Sequence, residues 1–314
     1  MADTLLLARS QFALTALFHI LWPVLTIGLS LFLVVNEMLW IRSRDPDYYR
    51  HARFWSKLFI LNFGVGVASG VPLEFEFGTN WAPFSAAMGD FFGNILGFEG
   101  AMAFMLEAGF LGIMLFGWKR VAPKIHLFAT CMVALGASLS AFWIMIANSW
   151  MQTPAGGVMQ RGRFVVTSYT QAMFNPAALW GVGHMWFACL ETSLLVIGAL
   201  SAWYIYKQRN LAFFLKSLKI AIAVAVLVAP LQIFLGDGSG RVVFQQQPAK
   251  GAAVEGHWRT NPPGTGASWA LVAWPDKARQ RNDWVISIPG VLSLLATHSF
   301  TGQEIGRASC RERV

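Results

Sequence analysis

The chain has 314 residues, of which 55% are hydrophobic and only 13% charged, with a formal net charge of +8. Soluble domains carry about 25% charged residues, so a soluble globular fold is excluded and a polytopic membrane protein is expected. The basic residues lie between apolar stretches, which assigns the excess charge to loops at the membrane surface and argues against nucleic-acid binding.

Six apolar spans are legible. The first runs from about Phe12 to Trp40 and contains His19, with Pro23 as a candidate kink. The second, about Leu58 to Phe77, carries the small-residue run FGVGVASG, which favours close helix packing, and ends on Glu74 and Glu76. The third, Gly93 to Trp118, is apolar from end to end except for Glu99 and Glu107. The fourth, about Ile125 to Trp150, has Ser138, Ser140 and Asn148 as its polar points. The fifth, about Leu179 to Tyr206, holds His184 and Glu191, and the sixth runs from about Leu218 to Leu235. Each exceeds or approaches the roughly 20 apolar residues that a bilayer-crossing helix needs. A polar loop follows to about Trp284, and a seventh apolar segment starts near Ile286. The expected fold is thus an all-α membrane bundle with six full spans, the start of a seventh, and a long outer loop after the sixth. Cys131 and Cys189 lie inside spans and Cys310 in the tail, with no disulfide or zinc spacing. The first apolar segment is too long for a cleavable signal peptide.

Loop charge sets the expected orientation. The loops after spans one, three and five carry five, three and four basic residues (Arg42 to Lys57, Lys119 to Lys124, Lys207 to Lys219). The loop after span two carries none, and the loop after span four only Arg161 and Arg163. The positive-inside rule places the N-terminus and the long loop outside. Spans one, three and five then enter from outside, and His19, Glu99 and His184 fall at similar depth on three different helices. Imidazoles and a carboxylate at one level are what a metal or haem site in a helix bundle needs. Glu107, eight residues past Glu99, is expected on nearly the same face, about 12 Å deeper. Intramembrane carboxylates are costly, so the pair suggests a metal ligand or a proton path. A proton-coupled transporter using Glu99 and Glu107 is the alternative of a different class, and a haem-free structural subunit a third. A transporter does not need His19 and His184 at one level, and no internal repeat is visible. His51 and His126 flank spans on the inner side and are expected to be interfacial.

Several stretches closely resemble subunit I of the cytochrome bd-type quinol oxidases: QFALTALFHILWPVLTIGL, FWSKLFILNFGVGVASG, LEFEFGTNW, GFEGAMAFMLEAGFLG and MVALGASLSAFWIMIANSWMQTPAG. The likeness runs from the N-terminus to about Ser299, and the wording of the first and third spans is closer to the cyanide-insensitive branch. The resemblance implies a bacterial inner-membrane respiratory oxidase that takes electrons from ubiquinol or menaquinol and reduces dioxygen to water, paired with a second membrane subunit in the lipid bilayer. It implies a low-spin haem b, a high-spin haem b, and haem d or a third haem b. By position, His19 corresponds to the axial ligand of the high-spin haem b, His184 to one axial ligand of the low-spin haem b, and Glu99 to a carboxylate ligand at the oxygen-reducing haem. Glu107, with Ser140, corresponds to the proton path. Lys250 and Glu255 match the spaced Lys and Glu associated with quinol oxidation, in a loop that keeps the family's GDxSG opening and its final Trp258.

These assignments divide the chain into residues 1–236 with the haem ligands, 237–285 as the outer quinol-binding loop, 286–303 as the start of the seventh span, and 304–314. The family continues with further spans, including a methionine that completes the low-spin haem and a GRQPW-like stretch. Neither is found here, so the resemblance implies that this chain on its own is inactive. Glu304 to Val314, EIGRASCRERV, resembles the in-frame translation of a sequencing-library adaptor and is expected to be an assembly artefact.

Overall fold

The computed structural model describes residues 2–310. The chain divides into two compact units, Met1–Gln232 and Ile233–Val314.

The first unit is a bundle of long helices. α1 (Ala2–Ser43) leads through a short turn into α2 (Pro46–Gly78), whose N-cap Asp45 accepts a hydrogen bond from the Asp47 amide while Pro46 occupies the first helical turn. The third span is α3 (Ala82–Phe98), a π-helical segment (Glu99–Phe104) and α4 (Met105–Phe116). α5 (Pro123–Gln152) follows. The hairpin β1 (Gly157–Gln160) and β2 (Arg163–Val166) comes next, turned by Arg161 and Gly162, both at positive φ as a tight two-residue turn requires. The short α6 (Tyr169–Met173) precedes α7 (Ala178–Tyr206), and α8 (Leu211–Gln246) closes the set. Among the described residues six helices are long and apolar enough to cross a membrane, as expected from the sequence. Each begins earlier or ends later than its apolar core because the flanking polar residues continue the same hydrogen-bonded spiral.

Polar contacts fix α1 and α2 as antiparallel neighbours: Thr15 meets Glu76, His19 meets Ser69, and Thr26 meets Asn62. On α2 these partners are seven residues apart, two helical turns, so they share one face. The main core joins Leu29, Phe32 and Leu33 of α1, Trp55 and Phe59 of α2, Met114 of α4, Val133 of α5 and Ile197 of α7. A second cluster gathers Phe91, Phe92 and Ile95 of α3 against Ile146 and Trp150 of α5 and Phe164 of β2. Large apolar side chains remain on the outside, among them Leu14, Leu17, Phe75, Leu227 and Ile233, as suits helices solvated by lipid.

The second unit departs from the expected loop. Residues of the GDGSG stretch lie within α8, which runs on to Gln246. The short α9 (Pro248–Val254) follows, and then β3 (Trp269–Asp276) and β4 (Arg281–Ile288) form an antiparallel hairpin. Where a seventh span is expected from Ile286, the structure has the end of β4, a turn at Gly290 with φ 72°, and the seven-residue α10 (Val291–Thr297). The β-branched run Val285-Ile286 pairs with β3, and Pro289-Gly290 breaks the apolar stretch before it reaches spanning length. α11 (Arg307–Cys310) packs back on the segment after α9, with the Arg307 and Ala308 amides donating to the His257 and Trp258 carbonyls.

Candidate haem-ligand and quinol sites

His19 lies on α1 with its ring against α2. Its Nδ1 is 3.0 Å from Ser69 Oγ, and Ser69 Oγ donates to the Gly66 carbonyl at 3.0 Å. A Cβ placed on Gly70 would come within 3.0 Å of His19 Cε1, so glycine makes the room that the ring occupies. His184 lies on α7, half-buried, and its Nδ1 is buried without a hydrogen-bond partner. α1 and α7 run in the same direction, as spans one and five must, and pack with residues 24–31 beside 185–189 and 29–33 beside 194–197. Gly28 sits directly against Cys189 and Ser193. Ser193 Oγ donates to the Leu25 carbonyl, 168 positions earlier. His19 and His184 have a separation close to this.

Glu99 opens the π-helical segment. Its Oε1 accepts from Ser140 Oγ of α5 at 2.8 Å, and its Oε2 is buried without a partner. Trp186, two residues past His184, donates to Ser138 of α5 at 3.2 Å, so Glu99 is tied through α5 to the level of His184. Glu107 is 7% exposed and lies against Gly136 of α5, where an added Cβ would be 2.9 Å from Glu107 Cβ and 3.0 Å from the Ala103 carbonyl. In a regular α-helix, eight residues leave Glu107 about 80° around the axis from Glu99. The π segment between them turns less per residue and closes that gap. Both carboxylates consequently meet α5, at Ser140 and Gly136, one turn apart.

These groups are separate sites, not one cluster: among the described residues no three His, Cys, Asp or Glu side chains could share one metal ion. They fit groups that bring most of their own coordination. A buried imidazole nitrogen and a buried carboxylate oxygen without protein partners, and a glycine cradle beside a third donor, are what haem iron ligation needs from a protein.

His51 and His126, expected near the inner ends of their spans, are enclosed by protein. Both are buried, at 0% and 1% exposure. His51 Nδ1 meets the Asp47 carbonyl at 2.7 Å and Nε2 the Phe213 carbonyl at 2.9 Å. His126 Nδ1 meets Glu37 Oε2 at 2.7 Å and Nε2 the Met114 carbonyl at 3.0 Å, while Thr130 Oγ1 donates to Glu37 Oε1 at 2.8 Å. Position near a span end says little when a neighbouring helix covers the site. Reading the first span for histidine and proline passes over Glu37, an acid inside LVVNEMLW, and that acid was the available signal.

In the second unit, Glu255 caps the C-terminus of α9 and lines a cleft of about 390 Å³ with Trp258, Leu271, Lys277 and Asn282. Trp258 Nε1 donates to Asn282 Oδ1 at 2.9 Å, which holds the indole in the wall. Burial pushes the Glu255 carboxyl above the ordinary carboxylate range, against a hydrogen bond with Trp269 that pulls it down. Burial likewise lowers His257. Lys250 is exposed on α9, one turn before Glu255, and is not among the residues lining the cleft.

Comparison with known proteins gives one answer. The family model described as cytochrome bd terminal oxidase subunit I matches residues 7–313. The chain is 42% identical over 301 residues to the cytochrome bd-II ubiquinol oxidase subunit 1 of Escherichia coli (strain K12), covering 95% of this chain and 58% of that protein. It is 37% identical over 303 residues to the cytochrome bd ubiquinol oxidase subunit 1 of Bacillus subtilis (strain 168), covering 96% and 64%. Its fold is similar to a chain of the bd oxidase from Geobacillus thermodenitrificans with TM-score 0.88, at 30% identity, covering 97% of this chain and 70% of that one. The chain thus spans somewhat less than two thirds of the length of those two curated relatives.

Proposed function

The chain belongs to the cytochrome bd terminal oxidase subunit I family, and from that premise we propose that it supplies the quinol-oxidising and haem-ligating part of a membrane-bound quinol:dioxygen oxidoreductase. Haem, when bound, supplies one-electron carriage and the reduction of dioxygen. His19 Nε2 is assigned to a high-spin haem b, His184 to a low-spin haem b, and the Glu99 carboxylate to the oxygen-reducing haem, d or b. The observation that carries this reading is that two ligand-type atoms inside the apolar helices, His184 Nδ1 and Glu99 Oε2, are buried without protein partners. Buried polar atoms are rarely left unpaired without a job.

Proton traffic is assigned to carboxylates. A quinol that gives up two electrons also gives up two protons, so its site needs a base at a lipid-accessible surface. Glu255 serves as that base in the cleft beside Trp258, and Lys250, exposed on the preceding turn outside the cleft, steers the incoming quinol. Dioxygen takes four electrons and four protons to become two waters. Glu107 holds and passes protons toward Glu99, whose Ser140 bond keeps one carboxylate oxygen oriented. The N-terminus and the quinol loop face outside in the bacterial inner membrane, so quinol protons leave outside while those for water come from inside. Charge then separates without a pump. A second membrane subunit packs against this one, and ubiquinol or menaquinol is the donor.

The deciding measurement is a reduced-minus-oxidised optical spectrum of membranes carrying the full-length oxidase. Haem bands that disappear one at a time with His19→Ala and His184→Ala are expected; membranes with no haem band at all would overturn the assignment. Glu107→Gln is expected to slow proton uptake with quinol affinity unchanged.

A further inference from the structure

Ser69 and Gly70 of α2 play no part in the roles above, yet both touch the ring of His19. Three observations bear on them. Ser69 has one hydroxyl proton, and its geometry commits that proton to the Gly66 carbonyl at 3.0 Å. With its hydroxyl directed to that carbonyl, Ser69 Oγ is left to accept from His19 Nδ1 at 3.0 Å. The imidazole then carries its proton on Nδ1, and the lone pair is left on Nε2. Next, the missing Cβ of Gly70 is the space in which the ring lies, since a Cβ there would sit 3.0 Å from His19 Cε1 and 3.6 Å from Nδ1. Finally, Pro23, one turn past His19, has no N–H for the His19 carbonyl. Beside Pro23, α2 is pinned to α1: Asn62 Nδ2 donates to the Trp22 carbonyl at 2.7 Å and to Thr26 Oγ1 at 2.6 Å.

We propose that Ser69 and Gly70 are positioning residues for the high-spin haem ligand, Ser69 fixing the tautomer of His19 so that Nε2 faces the iron and Gly70 fixing where the ring stands. The inference rests on the assignment of His19 as a haem ligand. An acceptor on the distal nitrogen of a metal-bound imidazole raises its basicity and favours the more highly charged metal. Ser69 therefore stabilises the ferric over the ferrous state. Asn62 holds α1 against α2 beside Pro23, one turn from His19.

The test uses the complete oxidase in detergent, with spectroelectrochemical titration of each haem. Ser69→Ala is expected to shift the midpoint potential of the high-spin haem upward and leave the low-spin haem unmoved. Ser69→Thr keeps the hydroxyl and is expected to restore the parent potential. Gly70→Ala is expected to lower high-spin haem content, with the low-spin band reporting that the bundle still folds. An unchanged high-spin potential in Ser69→Ala, or equal shifts in both haems, overturns the inference. His19→Ala separates the two levels of the argument: a high-spin band that survives it removes the ligand assignment, whereas a lost band beside an unmoved Ser69→Ala potential removes only the role of Ser69.

Discussion

At one end of the bundle His51 and His126 have both ring nitrogens within hydrogen-bond distance of protein oxygens, the Asp47 and Phe213 carbonyls for one, Glu37 and the Met114 carbonyl for the other. Toward the other end, His184 keeps a buried nitrogen without a partner, and His19 has only Nδ1 engaged among the described contacts. All four are histidines on long membrane helices with similar apolar neighbours. The difference lies in what the next helix offers. Where a carbonyl or carboxylate closes on each nitrogen, the imidazole is a cross-link. Where one nitrogen has no protein partner, the imidazole keeps an atom that the proposed ligand role would use.

This contrast can be broken experimentally. The largest expected effect is all-or-none: His184→Ala removes the low-spin haem band entirely, whereas His126→Ala leaves every haem band present in whatever folds. The next effect runs the other way. His126→Ala strands Glu37 and the Met114 carbonyl in the interior, and removing one member of a buried pair costs about 3–5 kcal/mol. Thermal melting in detergent should show that loss for His126→Ala. Replacing Glu37 and His126 together by leucine should recover much of it, because the uncompensated polar group goes too. If His184→Ala melts as early as His126→Ala in haem-depleted protein, the contrast is wrong.

Smaller effects sharpen the same boundary on the carboxylates. Gly136→Ala drives a methyl into the Ala103 carbonyl and the Glu107 amide, both at 3.0 Å. Overpacking of that kind costs about 1–3 kcal/mol, and the displaced Glu107 should also slow proton uptake, measured as a delayed pH-indicator signal. Ser140→Ala removes a donor from Glu99, worth about 1 kcal/mol, with a visible change in the oxygen-reducing haem's spectrum but little in melting. The mildest prediction concerns pH. The Glu255 carboxyl is held above its ordinary range by burial, so it stays protonated, and useless as a base, to higher pH than a free carboxylate. Quinol oxidation should rise with pH through that raised value, and Glu255→Gln should flatten the rise, as read from initial rates across a pH series.

Much of the fold is legible in the residues. The spans declare themselves because a helix that crosses a bilayer must be long and apolar, and the described residues hold six of them where the hydropathy puts them. The polar residues that matter stand out for the same reason, since an acid or imidazole in such a span is conspicuous; His19, Glu99, Glu107 and His184 are each found this way. The second unit is less legible. Its polar, glycine- and proline-rich stretch gives no period, so the continuation of α8 to Gln246 and the β3–β4 hairpin depend on pairings made at a distance. The cleft that brings Trp258 and Glu255 together with Asn282, without Lys250, follows from that hairpin.

By itself, then, the sequence determined the membrane class, the six spans, the family and the short set of polar side chains inside the apolar helices, because each of these is a local or compositional cost that water and lipid impose residue by residue. Only the tertiary structure decided which histidine is a cross-link and which has a nitrogen to offer. It also decided that Glu99 and Glu107 meet one helix through an intervening π segment. The physical reason is that a buried polar atom is defined by its partner, and here the partners come from elsewhere: Ser69 stands 50 positions from His19, Ser140 stands 41 from Glu99, and Glu37 stands 89 from His126.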